Sequence, residues 1–305
     1  MTKVFIDGSA GTTGLRIRER LAGRKDLELV TLPEELRKDL NARKDALNGA
    51  DIAFLCLPDA AAIEAVSLVE SGHVAVIDTS TAHRVAPDWA YGFPELSSGH
   101  RQAIIHSKRV ANPGCHASGF IAGVYPLVKS GVISADFPLT AYSLTGYSGG
   151  GKKMIGEYEE PNRDPRHKSD RIYATGLTHK HLPEMQKKCG LTKKPVFSPI
   201  VGDFYAGMAT SVLLPGIDAK MAWEALSDHY AGQKMVSVAP LGGDEPVVYA
   251  NTYAGKDTMR IQVSGQRDQC MVTAIFDNLG KGASGAAIQN MNLLLGLEET
   301  TGLSL

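Results

Sequence analysis

Cys115 sits in the run Asn112-Pro113-Gly114-Cys115-His116, a setting that suits a nucleophile. Pro113 cannot continue a strand pairing, and Gly114 permits a sharp turn. An apolar helix is expected from Cys115 through Val124. A thiol at a helix N-terminus feels the positive end of the dipole, which favours the thiolate, the form that attacks an acyl carbon. A second group lies downstream. His179-Lys180-His181-Leu182-Pro183-Glu184 puts two imidazoles and a carboxylate close together. Zinc needs three or four ligands, and no convincing third partner is in view, so no metal is expected. The sharper reading is a general acid/base serving Cys115, because acyl chemistry at a thiol needs a proton donor for the oxygen that develops. The plain alternative is a pair of surface histidines near a helix start.

Other residues suit a dinucleotide. Gly8-Ser9-Ala10-Gly11-Thr12-Thr13-Gly14 lies between the first expected strand and the first expected helix. Glycines there allow a tight turn, and the helix N-terminus offers free N–H groups to a pyrophosphate. The spacing is GxxGxxG rather than the commoner GxGxxG, and a plain glycine turn is the alternative. Val30-Thr31-Leu32-Pro33 has no acid at the place that usually grips an adenosine ribose. Glu34 is near, and Arg37 and Lys38 follow, which favours NADP(H). Gly146-Tyr147-Ser148-Gly149-Gly150-Gly151-Lys152-Lys153 partly matches a P-loop, but Lys153 stands where a magnesium-binding hydroxyl is required. Ser148 and Gly149 of this run are candidate cofactor contacts instead. Asp78-Thr79-Ser80-Thr81-Ala82-His83-Arg84 ends a strand, where ligands gather, and Arg84 could hold a phosphate or carboxylate bidentately. Arg84, Asn112, Lys152, His181 and Glu184 are the candidate substrate contacts. Cys56, between Leu55 and Leu57, reads as a structural cysteine of a strand.

These residues need elements to position them. Residues 1–112 alternate strands (Val4–Ile6, Leu27–Leu32, Ile52–Leu57, His73–Asp78) with helices (Thr13–Ala22, Ala60–Glu70). That alternation predicts a parallel sheet covered on both faces. From about residue 136 the rhythm becomes Thr140–Leu144, Ser211–Leu214, Val236–Ala239, Val247–Tyr253, Met259–Val263 and Met271–Phe276, which predicts an antiparallel sheet in an α+β domain. Residues 147–178 read as a long polar loop, and a last helix starts near Lys281. The domains expected are 1–114 for the dinucleotide, completed by a C-terminal helix over about 281–305, and 115–280 for catalysis and oligomerisation.

The chain has 305 residues, enough for about two domains. Its 32 basic and 33 acidic residues leave a net charge of -1, which argues against a nucleic-acid binder held by bulk charge. No apolar run reaches the roughly 18 residues that span a bilayer. The first apolar run is too short for a signal peptide core, so a cytoplasmic protein with reduced thiols is expected from its four widely spaced cysteines.

Together the motifs resemble the N-acetyl-gamma-glutamyl-phosphate reductase family in its shorter form. The segments are GSAGTTG at 8–14, DTSTAHR at 78–84, YGFPEL at 91–96, NPGC at 112–115, SGGGK at 148–152, HKHLPE at 179–184 and DNLGKGASGAAIQNMN at 277–292. The resemblance implies a Rossmann-like NADP domain, a glyceraldehyde-phosphate-dehydrogenase-like catalytic domain, and a C-terminal helix returning to the first. It implies NADPH-dependent reductive dephosphorylation of N-acetyl-L-glutamyl 5-phosphate, a step of arginine biosynthesis, by a homo-oligomer. Cys115 is similar to the family's nucleophile and His179 to its acid/base. Asn278 resembles the asparagine that meets the nicotinamide amide in related dehydrogenases. Lys152 departs from the longer relatives, which often have Arg there, and Ser198–Phe204 follows the family only loosely. Two alternatives stand beside this reading. Aspartate-semialdehyde dehydrogenase shares the chemistry but usually takes its histidine from late in the chain. A non-catalytic NADP-binding redox sensor would share the fold.

Overall fold

Short apolar runs at Val4–Ile6, Ile52–Leu55 and Ala75–Ile77 leave no polar face for solvent, so they demand cover on both sides. In the computed structural model, which describes residues 1–242 and 246–305, they become the centre of a parallel sheet. The chain divides into two compact units, Met1–Gly114 with Ala283–Leu303, and Cys115–Gly282 with Ser304–Leu305.

The first unit contains β1 (Thr2–Asp7), α1 (Thr12–Leu21), β2 (Leu27–Val30), α2 (Leu40–Asn48), β3 (Ile52–Leu55), α3 (Asp59–Leu68), β4 (Ala75–Asp78), β5 (Ala90–Tyr91), α4 (Ser98–His106) and β6 (Arg109–Ala111). The sheet order is β2-β1-β3-β4-β6-β5, with every pairing parallel. Alternate side chains feed two cores. Val4, Ile6, Ile52 and Phe54 meet Ile17 and Leu21 of α1, while Phe5, Ala53 and Leu55 meet Leu47 of α2 and Ala65 of α3. Helix α2 was not legible as a helix, because one of its three buried residues is Arg43 rather than an apolar side chain. Asp39 caps it, accepting from the N–H of Ala42 at 2.8 Å.

The second unit contains α5 (Cys115–Lys129), β7 (Thr140–Gly146), α6 (Gly151–Glu159), β8 (Arg171–Ile172), α7 (Leu182–Lys188), β9 (Val196–Gly202), β10 (Met208–Pro215), α8 (Ala219–Tyr230), β11 (Val236–Val238), β12 (Met259–Gly265) and β13 (Gln269–Phe276). Its sheet order is β11-β12-β13-β10-β7-β9-β8. The sheet is mixed rather than antiparallel, since β7 runs parallel to β9 and β11 parallel to β12. Helix α5 packs closely on this sheet. A Cβ at Gly119 would lie 2.6 Å from Thr210 Oγ1, so only glycine lets the helix approach there. A π-helical turn at Gly280–Ser284 leads into α9 (Gly285–Leu294), whose Ile288 and Met291 join the core of the first unit.

Two further expectations are corrected. Val247–Tyr253 is not a strand: its residues form irregular backbone and turns, with Val247 and Tyr249 exposed. Their strand propensity finds no pairing partner among the described residues. The segment 147–178 is not simply a loop, for it holds α6 and β8, and α6 is anchored by the buried ring of Tyr158.

Candidate active site

The Gly8–Gly14 turn separates glycines its own fold requires from one it does not. Gly8 has φ +85°, and a Cβ there would lie 2.3 Å from the carbonyl oxygen of Cys56. A Cβ at Gly14 would lie 2.5 Å from the carbonyl oxygen of Gly8. At Gly11 the nearest atom would be 3.5 Å away, so the protein's own packing does not exclude a side chain. Gly11 is the N-cap of α1 and supplies no side-chain cap, leaving the first-turn N–H groups without that partner. Thr12 Oγ1 is buried with no hydrogen-bond partner among the described residues. Open space at Gly11, an uncapped helix start and an orphaned hydroxyl fit a bound pyrophosphate. Ser9, Ala10 and Thr13 complete this turn, and Thr13 lies in the first turn of α1. Beside it, Asp7 accepts from Arg43 Nε at 3.0 Å and from its NH2 nitrogen at 2.9 Å, which offsets an acid next to an anion site. Burial still pushes the Asp7 carboxyl above its ordinary value, against the pull of Arg43. At the tip beyond β2, Glu34 is exposed and Arg37 is half-buried, with its Nε unpartnered among the described residues.

In the second unit, Cys115 is the first residue of α5 and is half-buried. Gly282 backs it closely, since a Cβ there would lie 3.1 Å from Cys115 Cβ. A cluster of rings surrounds the next residue. The ring centres of His116 and His179 are 5.3 Å apart, those of His116 and His181 are 5.7 Å apart, and those of His179 and His181 are 4.7 Å apart. Phe197 of β9 stands 5.5 Å from His179 and 5.4 Å from His116. The turn into α7 sets His179. Its Nδ1 accepts from the N–H of His181 at 3.2 Å, and its carbonyl accepts from the N–H of Leu182 at 3.0 Å. Burial, then the proximity of His179 and Lys180, push His116 down to about 3. Burial pushes the Tyr173 phenol above its ordinary value, and the charge of Cys115 adds to the shift.

Three candidate cofactor contacts converge in the same unit. Asn278 is buried, donates from Nδ2 to Ser148 Oγ at 3.0 Å, and accepts at Oδ1 from the N–H of Gly207 at 2.8 Å. A Cβ at Gly149 would lie 3.4 Å from Asn278 Nδ2, so Gly149 lies directly against that amide.

The candidate substrate contacts fare differently. Lys152 is exposed on α6, His181 is the N-cap of α7, and Glu184 is buried in its first turn. Asn112 is 1% exposed, and its amide serves the fold: Nδ2 donates to the carbonyl of Ala283 at 3.0 Å, and Oδ1 accepts from Asn290 at 3.2 Å. Arg84 turns inward, donating to the carbonyls of Asn112 and Thr79, each at 2.9 Å. In this arrangement both side chains support the Asn112-Pro113-Gly114 turn. His116 and Tyr173 were missed. A polar side chain opening an otherwise apolar helix was the available signal for His116, because a buried imidazole needs partners. Among the described residues no group of three or more His, Cys, Asp or Glu side chains is arranged to hold a metal.

Comparison with known proteins bears on this arrangement. Residues 3–104 match the family model "Semialdehyde dehydrogenase, NAD binding domain", and residues 115–278 match "Semialdehyde dehydrogenase, dimerisation domain". The N-acetyl-gamma-glutamyl-phosphate reductase of Brucella ovis is 50% identical, over 96% of this chain and 99% of that protein. That of Burkholderia lata is 46% identical, over 96% of each. Among solved structures, aspartate semialdehyde dehydrogenase from Francisella tularensis superimposes with a TM-score of 0.73 at 15% identity, covering 97% of this chain and all, 100%, of that one. At that identity the likeness establishes the fold. No helix among the described residues is long and apolar enough to cross a membrane.

Proposed function

Because the chain belongs to the N-acetyl-gamma-glutamyl-phosphate reductase family, we propose that it reduces N-acetyl-L-glutamyl 5-phosphate to N-acetyl-L-glutamate 5-semialdehyde, with release of inorganic phosphate. The observation that carries this reading is the placement of Cys115 at the start of α5 beside a cluster of His116, His179 and His181. The Cys115 thiolate attacks the acyl carbon, the carbon–oxygen bond to phosphate breaks, and a thioacyl enzyme forms. NADPH, when bound, supplies the hydride that reduces this carbon. Cys115 then holds a thiohemiacetal, whose oxyanion meets the N–H of Cys115 at the helix start and the Nε2–H of His179. His179 shares its Nε2 proton with that oxygen as the hydride arrives and recovers it as the carbon–sulfur bond breaks, the bonding pair returns to Cys115 as thiolate, and the aldehyde leaves.

The Gly8–Gly14 turn suits the pyrophosphate, and Ser148, Gly149 and Asn278 are assigned to the nicotinamide end. Lys152, His181 and Glu184 are assigned to the substrate. The dimerisation-domain match supports a homo-oligomer, dimer or tetramer, and the cytoplasm is the compartment proposed for the reaction. The test is an assay of NADP- and phosphate-dependent oxidation with N-acetylglutamate semialdehyde and aspartate semialdehyde side by side. Preference for the acetylated substrate supports the proposal. Preference for aspartate semialdehyde would replace it with the alternative, and no oxidation of either would leave a binding protein.

A further inference from the structure

His116 follows the nucleophile directly, yet no step of the reaction above uses it. Its ring is bonded at both nitrogens. Nδ1 meets Ser143 Oγ at 2.8 Å, and Nε2 meets the Tyr173 hydroxyl at 2.7 Å. Ser143 Oγ in turn meets Thr210 Oγ1 at 2.7 Å. One chain of hydrogen bonds therefore joins β10, β7, α5 and the segment after β8. The far end is anchored, for the N–H of Tyr173 donates to the carbonyl of Pro199 on β9 at 3.1 Å.

A neutral imidazole has one donor and one acceptor, so the chain has two arrangements. In one, the phenol donates to His116 and His116 donates to Ser143. In the other, Thr210 donates to Ser143, Ser143 donates to Nδ1, and the Nε2–H of His116 donates to the phenol oxygen. Only the second frees the phenol hydrogen for another acceptor. Tyr173 also lies against His179, with ring centres 5.7 Å apart. The charge of Cys115 is near enough to shift the phenol's titration, second only to burial. His116 stays neutral at working pH, so it does not compete with His179 for a proton.

We propose that His116 is a positioning residue: through the Thr210–Ser143–His116–Tyr173 chain it holds the Tyr173 phenol so that its hydrogen points to the oxyanion formed at Cys115. The oxyanion selects the second arrangement, and only hydrogen bonds change. This rests on the reading of Cys115 as the nucleophile. It would give the oxyanion a side-chain donor separate from His179.

The test is steady-state kinetics of phosphate-dependent aldehyde oxidation by the full chain with NADP. The variants are Tyr173→Phe, His116→Phe, their combination and Ser143→Ala, with iodoacetamide labelling of Cys115 followed in each. Loss of one oxyanion donor predicts that Tyr173→Phe lowers kcat by roughly 10²-fold while KM changes by less than about twofold. His116→Phe should lower kcat by roughly tenfold, and the double variant should be no slower than Tyr173→Phe, because the pair acts as a unit. Two independent structural defects would instead multiply. Multiplying losses, or a His116→Phe kcat near that of the wild type, would overturn the proposal. If His116→Phe does not fold, Ser143→Ala decides: a lowered kcat with unchanged KM supports the chain, and an unchanged kcat overturns it. A wild type that labels quickly but oxidises no aldehyde overturns the functional reading and this proposal with it. An active wild type with unaffected variants overturns this proposal alone.

Discussion

The backbone N–H of His181 donates to Nδ1 of His179 across 3.2 Å. This bond decides which nitrogen of His179 does chemistry. With Nδ1 occupied as an acceptor, the neutral ring carries its proton on Nε2. The donor is backbone, so it survives replacement of the His181 side chain. His179→Asn should therefore lower kcat by roughly 10²–10⁴-fold, the usual worth of a general acid/base. His181→Ala should lose much less, because its N–H still orients His179. Steady-state kinetics of the two variants check this, and a larger loss in His181→Ala would reverse the assignment.

Thiol labelling should be selective. Burial pushes the Cys56 and Cys270 thiols up to about 12 and raises Cys189 as well. All three stay protonated and slow at neutral pH, whereas Cys115 has the helix N-terminus to favour its thiolate. Mass spectrometry after brief iodoacetamide treatment of the folded protein near pH 7.5 should find one adduct, on Cys115. Cys115→Ser should still bind NADPH and lose turnover by at least roughly 10³-fold, since a serine hydroxyl is a far weaker nucleophile. Early labelling of Cys56 or Cys270 would contradict the burial argument.

The candidate residues were unequally legible. Cys115, His179 and the Gly8–Gly14 turn announce themselves locally, because turn chemistry, helix starts and close histidines are all written in neighbouring residues. His116 and Tyr173 did not, because their bonds run to Ser143 and Thr210, far along the chain, and only strand pairing brings these together. The parallel β7–β9 pairing was hidden for a related reason. Alternating burial along Val196–Gly202 gives a strand but no direction, and Pro199 weakened even that signal. The bonds of the Asn112 amide to Ala283 and Asn290 were hidden as well, because those partners lie 171 and 178 residues along the chain.

Stability should fall on the acid side in a way that His116 controls. Burial, with His179 and Lys180 close by, holds His116 down to about 3 in the folded chain. Unfolding restores an ordinary imidazole near 6.5. Between these values the unfolded chain binds one more proton, so this group's contribution to stability is present above about pH 6.5 and is lost as pH falls toward 3. Its slope is about 1.4 kcal/mol per pH unit. Urea unfolding at pH 7 and pH 5 should thus show a steeper loss in the wild type than in His116→Phe. Equal slopes would mean that His116 is charged in the folded protein.

Cofactor choice should rest on Arg37. It follows β2, is half-buried, and leaves its Nε without a partner among the described residues. A guanidinium so placed suits a 2′-phosphate, whereas a ribose hydroxyl would call for an acid. NADPH should exceed NADH in kcat/KM, and Arg37→Ala should narrow the gap by about tenfold, or about 1.4 kcal/mol, through KM for NADPH. A wild-type preference for NADH would assign the ribose to Glu34 instead.

Gly11 separates a dinucleotide turn from a plain glycine turn. At Gly14 a methyl group would lie 2.5 Å from the carbonyl oxygen of Gly8, so Gly14→Ala should unfold or distort the turn whatever the turn binds. At Gly11 the nearest atom would be 3.5 Å away, an ordinary contact, and its backbone is extended at φ -72° and ψ 166°, which alanine readily adopts. Alanine also has less backbone freedom to lose on folding. Gly11→Ala should therefore keep a melting temperature within a few degrees of the wild type. The methyl group would nonetheless stand where a pyrophosphate must approach the uncapped start of α1. Affinity for NADPH should drop by at least about tenfold, or about 1.4 kcal/mol. Calorimetric titration with NADPH, paired with thermal melts of both variants, reads the two effects separately. An unchanged affinity in a well-folded Gly11→Ala protein would move the pyrophosphate away from this turn and leave its glycines a purely structural task.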